Sequence, residues 1–152
     1  MKNLILFIQV AILFLALTDV YSQWYPQTSG TTKFLPSVSF TDANNGTVVG
    51  NNGTILRTTN GGTNWISQTS GTTPYTNLYG VSFTDENTGT AVGDAGTILR
   101  TTNGGTNWFS QTSGTTNRLL GVCFTDANNG TAVGYDGIIF RTTNGGVTFV
   151  IR

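Results

Sequence analysis

Arg57-Thr-Thr-Asn-Gly-Gly-Thr-Asn-Trp65 returns letter for letter at residues 100–108, and once more as Arg141-Thr-Thr-Asn-Gly-Gly-Val-Thr-Phe149. The first two copies run on into a second shared stretch. Trp65-Ile-Ser-Gln-Thr-Ser-Gly-Thr-Thr73 and Trp108-Phe-Ser-Gln-Thr-Ser-Gly-Thr-Thr116 both match Trp24-Tyr-Pro-Gln-Thr-Ser-Gly-Thr-Thr32. The aromatic positions 24, 65, 108 and 149 are spaced by 41, 43 and 41 residues. A fixed period of that size marks a repeat architecture, and glycine turns between short β-type runs make each unit a propeller blade.

Working outward, each unit holds four extended segments, a to d in chain order. In the second unit they are 78–84, 90–92, 97–102 and 108–111. Val81 and Phe83 alternate with Gly80 and Ser82, the period of a strand, and nothing after residue 22 carries the 3.6-residue period of a helix. The a–b connections are Asp42-Ala-Asn-Asn-Gly46, Asp85-Glu-Asn-Thr-Gly89 and Asp126-Ala-Asn-Asn-Gly130. Their Asp and Asn side chains can bond turn amides, and Gly supplies positive φ. The b–c connections, such as Gly93-Asp-Ala-Gly96, carry the same chemistry. The expectation is an all-β chain of three four-stranded antiparallel meanders in an open arc. Blades span 34–69, 78–112 and 118–152, the last with a truncated d strand, and a lone d-type strand with its linker occupies 23–33.

The c–d turn is the most specific element. Thr58, Asn60, Gly62 and Trp65 recur as Thr101, Asn103, Gly105 and Trp108, then as Thr142, Asn144, Gly146 and Phe149. Asn-Gly-Gly at a hairpin tip enters left-handed space without a Cβ clash. The Thr and Asn side chains can satisfy amides the hairpin leaves open, and the ring one turn on can cover them.

These turns resemble the Asp-box, or bacterial neuraminidase repeat, Ser-x-Asp-x-Gly-x-Thr-Trp. The whole unit, from Gly-x-x-Gly-Thr-Ile through Arg-Thr-Thr-Asn-Gly-Gly to Trp, is similar to repeats of the photosystem II stability and assembly factor family. Asn60, Asn103 and Asn144 depart from the Asp of the box, keeping its acceptor oxygen and losing its charge, and Phe149 departs from its Trp. The resemblance implies a larger, typically seven-bladed propeller that is exported and holds another protein.

Residues 1–22 carry Lys2, an apolar run from Leu4 to Leu17 broken by Gln9, and Val20-Tyr21-Ser22 before Gln23. That order reads as a cleaved signal peptide, and the run falls short of the ~20 residues a bilayer span needs. The expected location is therefore periplasm, cell surface or extracellular space, with no stable membrane span after cleavage. Seven basic and seven acidic residues leave no basic field for nucleic acid. With no His and one Cys, no metal or cofactor site can be written from spacing. Cys123 stands where the other units have Ser39 and Ser82, and reads as a small buried side chain.

A catalytic centre is one constellation, whereas a repeat sets the same residue down three times. Arg57, Arg100 and Arg141 share one repeat position and lie on an arc, so they do not converge as a sialidase triad would. Glu86 is the only Glu, and Asp42, Asp85 and Asp126 are equivalent turn residues that blade geometry keeps apart. The functional reading is a non-catalytic scaffold with a protein partner, and the alternative is a piece of a secreted Asp-box glycoside hydrolase, sialidase-like or glucanase-like. The three arginines are candidate partner contacts under the family resemblance. The competing reading is structural, each guanidinium bonding carbonyls of its own or the next blade. Three blades also leave two faces without a neighbour. The expectation is that the sequence is part of a longer parent chain; the other readings are self-association of two chains into a six-bladed ring, or a partner on the open face.

Overall fold

The computed structural model describes residues 24–147 and the backbone of 150–151. The candidate signal peptide and Phe149 lie outside the described residues. Among the described residues twelve strands form three four-stranded antiparallel sheets, each a meander in chain order. Blade 1 is β1 (Ser37–Phe40), β2 (Gly46–Val49), β3 (Ile55–Thr58) and β4 (Ile66–Gln68). Blade 2 is β5 (Leu78–Phe83), β6 (Gly89–Gly93), β7 (Ile98–Thr101) and β8 (Phe109–Gln111). Blade 3 is β9 (Leu119–Phe124), β10 (Gly130–Gly134), β11 (Ile139–Thr142) and β12 (Val150–Ile151). Among the described residues no helix is long and apolar enough to cross a membrane.

The blades stack through two cores. Val49 and Ile55 of blade 1 meet Val81, Phe83, Leu99 and Trp108 of blade 2. Val92 and Ile98 of blade 2 meet Leu119, Ala132 and Phe140 of blade 3. Every strand alternates, so each blade offers one apolar row to the blade before it and one to the blade after it. Serine side chains reinforce the stack: Ser39 Oγ accepts the Phe83 N–H at 3.0 Å, and Ser82 Oγ accepts the Phe124 N–H at 3.0 Å.

The a–b loops are Asx turns. Asp42 Oδ1 accepts the N–H of Asn44 at 2.7 Å and of Asn45 at 2.9 Å, and Asp85 and Asp126 repeat the pattern. Those carboxylates are committed to their own backbone amides. Each b–c loop is a single 3₁₀ turn, a feature the strand reading leaves out, with Asn52, Ala95 and Asp136 at φ 58°, 50° and 57°.

Two expectations need correction, and the shared tryptophan position is buried unequally in the two blades. Residues 24–28 carry no strand pairing, because each c strand already has its d partner: β3 with β4, β7 with β8 and β11 with β12. Cys123 is exposed, not buried, since its serine equivalents gain cover only from the blade that follows them. The two tryptophans are not equivalent: Trp108 is 8% exposed, while Trp65, on the first blade, is half-buried.

Candidate functional site

The c–d turns wind around one hydroxyl. Thr58 Oγ1 accepts the N–H of Gly62 at 2.9 Å and of Asn60 at 3.3 Å, and donates to Asn60 Oδ1 at 2.9 Å. That same Oδ1 accepts the Asn64 N–H at 2.9 Å. Thr101 and Asn103 repeat the whole pattern, and Thr142 with Asn144 repeats its hydroxyl half. Both bonds to the Asn60 side chain use an oxygen that Asn shares with Asp, so the neutral residue closes the turn.

A second device joins the blades at these turns. Gln68, at the end of β4, donates from Nε2 to Gly104 O at 2.9 Å, and its Oε1 accepts the Trp108 indole N–H at 3.4 Å. Gln27 holds Gly61 and Trp65 in the same way, at 3.0 and 3.4 Å. A Cβ on Gly105 would sit 2.0 Å from Gln68 Oε1, and the residue stands at φ +84°, so glycine is required twice over. Gln111 reaches Gly145 O at 3.3 Å, but its Oε1 is buried with no hydrogen-bond partner among the described residues. The corresponding aromatic is Phe149, which has no ring N–H to give.

The repeated arginines also span blade junctions. Arg57 donates to Thr47 Oγ1 at 3.3 Å and to Glu86 O of blade 2 at 2.7 Å, with its guanidinium 5.4 Å above the Phe83 ring. Arg100 donates to Thr90 Oγ1 at 2.9 Å and to Ala127 O of blade 3 at 2.5 Å, 5.0 Å above Phe124. Burial lowers the Arg100 pKa, with the Asp85 charge opposing it. Arg141 occupies the same position in blade 3 and is exposed. The three are therefore not brought together, and two of them serve the stack.

At the opposite end of the blades, where a strands begin and b–c turns close, lies a cluster that does not repeat. Arg118 Nε donates to Asp94 Oδ1 at 2.6 Å across the junction of blades 2 and 3. Its guanidinium lies 5.3 Å from the ring centres of both Tyr79 and Tyr135. The Tyr79 hydroxyl donates to Asp94 Oδ1 at 3.2 Å and the Asn77 N–H to Oδ2 at 3.0 Å. Burial would raise the Asp94 pKa, but the Asn77 N–H, the Arg118 charge and the Tyr79 hydroxyl outweigh it and hold it below the usual carboxylate range. Tyr135 remains 51% exposed and the Arg118 side chain 41%, so ring face and N–H groups are both offered to solvent. Next to it is a shallow hollow of about 650 Å³ lined by Ala95, Gly96, Thr97, Gln111, Ser113 and Thr115, among others. Among the described residues no group of His, Cys, Asp and Glu is placed to hold a metal ion.

The family model described as photosynthesis system II assembly factor YCF48 matches residues 17–110, more than half of the chain. The chain belongs to that family. It is similar to the solved structure of YCF48 bound to D1 peptide, at 26% identity and TM-score 0.78, covering 87% of this chain and 44% of that one. It is also similar to YCF48 from Cyanidioschyzon merolae, at 25% identity and TM-score 0.75, covering 86% and 43%. The chain thus spans less than half the length of either YCF48 structure. A GH74 enzyme from Niastella koreensis shares the fold, at 19% identity and TM-score 0.56 over 77% of this chain and 22% of that one. Comparison with curated proteins finds no match.

Sequence reasoning missed both the Gln clamp and the Arg118 cluster. The clamp was visible as the invariant Gln of the Gln-Thr-Ser-Gly stretch. The cluster was visible as departures from the repeat: Arg118 stands against Asn77 and Phe34, Tyr79 against Leu120, and Tyr135 against Asp94 and Asn51.

Proposed function

We propose that this chain is an exported, non-catalytic protein-binding scaffold, and that the Tyr79–Arg118–Tyr135 patch is where a peptide segment of the partner docks. The observation that carries the reading is membership of the YCF48 family, together with likeness to a structure in which YCF48 holds a peptide. The patch supports it locally, because residues that break a repeat are not needed to build a blade. Arg with Tyr on either side is also the residue mixture enriched in interface hot spots. Its N–H groups suit a carboxylate or carbonyl of the incoming segment, and the Tyr135 ring suits an apolar side chain. Export rests on the order of residues 1–22, charged, apolar, then small. A hydrolase reading would need paired carboxylates, whereas Asp42, Asp85 and Asp126 are occupied in their own turns and Asp94 is paired with Arg118.

The test is selection of phage-displayed random peptides on the purified protein, followed by titration of the enriched peptide. An enriched sequence should bind in the micromolar range, and Arg118→Ala should weaken it at least about tenfold. Failure to enrich any peptide, with turnover of sialosides or β-glucans in the same preparation, would sink the scaffold reading.

A further inference from the structure

The connection between blades 1 and 2 is longer than its counterparts by two residues. Thr115-Thr116-Asn117-Arg118 leads into Leu119, and Thr31-Thr32-Lys33-Phe34 leads into Leu35, whereas Thr72-Thr73-Pro74-Tyr75-Thr76-Asn77 leads into Leu78. The shorter connection suffices to join blade 2 to blade 3, so Pro74 and Tyr75 are not needed to build the stack. They are nevertheless held in a closed turn. The Thr76 N–H donates to Thr73 O at 3.1 Å, the two threonine hydroxyls lie 2.8 Å apart, and Thr76 O accepts the Gly53 N–H at 2.6 Å. Proline fixes φ at the second position of such a turn. Tyr75 stands at its tip, 86% exposed.

The turn is joined to the Arg118 cluster through Asn77. Asn77 Oδ1 accepts the Asn52 N–H at 3.1 Å, its own N–H donates to Asp94 Oδ2 at 3.0 Å, and its carbonyl accepts the Asp94 N–H at 2.9 Å. Asp94 in turn holds Arg118. Two residues of chain and this run of bonds put the Tyr75 backbone within roughly 14 Å of the Arg118 guanidinium, which an extended segment covers in about four to five residues. Tyr79 is aimed at the same cluster by a bulge: β5 shifts register between Leu78 and Gly80, so Tyr79 has no opposite residue on β6. The ground between, residues 73–79 and 94–97, holds one charged side chain, Asp94, and Arg118 neutralises it. A charged side chain of a partner finds no counter-charge there, whereas an apolar one finds the face of a tyrosine.

We propose that Tyr75 is a second anchor of the docking site, an inference that rests on reading the Tyr79–Arg118–Tyr135 patch as that site. The partner segment is then extended, with a hydrogen-bond acceptor over Arg118 and an apolar side chain on Tyr75 about four to five residues away. Because the turn already holds the ring in place, binding has little left to order there.

The experiment titrates the phage-selected peptide by isothermal calorimetry against wild type, Arg118→Ala, Tyr75→Ala and a protein lacking Pro74 and Tyr75. The deletion gives this connection the length of the one between blades 2 and 3, and Tyr75→Ala removes an exposed ring, so both proteins should melt close to wild type. Each should bind the peptide at least about fivefold more weakly. An alanine scan of the peptide should find one apolar residue whose loss weakens binding to wild type and is silent on Tyr75→Ala. Unchanged affinity in both Tyr75 variants, with binding still weakened by Arg118→Ala, would overturn the second anchor and leave the Arg118 patch standing. Affinity lost in the Tyr75 variants but kept in Arg118→Ala would overturn the patch and the joint site together. A peptide indifferent to all three changes, or failure to enrich any peptide, would do the same.

Discussion

Replacing Trp108 by Phe gives the junction of blades 1 and 2 the residue type that the sequence carries at the equivalent position of blade 3. The indole N–H bond to Gln68 Oε1 disappears, leaving that oxygen in the state in which Gln111 Oε1 is found, buried and with no partner among the described residues. The bond is long at 3.4 Å, so its own contribution belongs near the low end of the usual range, about 0.5 kcal/mol. The stranded oxygen adds roughly 1 kcal/mol, and the lost ring area of a side chain only 8% exposed adds about 1 more. A total of about 2–3 kcal/mol corresponds to a fall in melting temperature of roughly 6–15 °C for a domain of this size. Trp65→Phe should cost much less, on the order of 0.5 kcal/mol, because Gln27 is exposed and the Trp65 ring is only half-buried. The reverse change, Phe149→Trp, gives blade 3 the ring N–H that its repeat equivalents Trp65 and Trp108 carry, and should stabilise by about 0.5–1.5 kcal/mol. Calorimetry at one fixed protein concentration reads all three. Equal losses for Trp65→Phe and Trp108→Phe, together with no gain for Phe149→Trp, would refute the clamp.

Gly105→Ala drives a methyl into Gln68 Oε1 at a left-handed φ, so urea unfolding should show a loss of about 2–3 kcal/mol. Ala95 occupies φ 50° where the other blades have Asn52 and Asp136, and Ala95→Asn should raise stability by about 0.5–1 kcal/mol in the same assay. Arg100→Ala removes two hydrogen bonds and the cover over Phe124, and should cost about 1–2 kcal/mol, whereas Arg141→Ala, at an exposed side chain, should leave unfolding nearly unchanged. Asp42, Asp85, Asp94 and Asp126 all have pKa values below the ordinary carboxylate value. Their contribution is complete above that ordinary value, about pH 4, and is lost as the pH falls through the depressed ones. Melting temperature should therefore stay flat from neutral pH to about 5 and decline below about 4.

The repeat period, strand order and turn chemistry were legible because each depends on local sequence that occurs three times. The alternation of Val81 and Phe83 with Ser82 marked the strand, while the register, with its shift between Leu78 and Gly80, came only from the structure. Burial at the ends was not legible. Cys123 and Ser82 occupy one repeat position, and whether that position is covered depends on the next blade, which no local pattern encodes. The arginines show the same limit: Arg57 reads as exposed cation or buried staple until Glu86 O is seen 2.7 Å away. The Arg118 patch escaped because repeat reasoning averages over units, and Tyr79, Asp94, Arg118 and Tyr135 lie in four separate segments that only the stacking of blades 2 and 3 brings together.

The account stands most directly on where a partner peptide touches the protein. Hydrogen exchange followed by mass spectrometry, with and without the phage-selected peptide, maps that contact without altering the chain. The protein is predicted to gain protection at residues 77–80, 94–97, 117–120 and 134–137, the segments that form the Tyr79–Arg118–Tyr135 patch. Protection confined to the a–b and c–d turns at the other end, around Arg57 and Arg100, or no protection under saturating peptide, would contradict it.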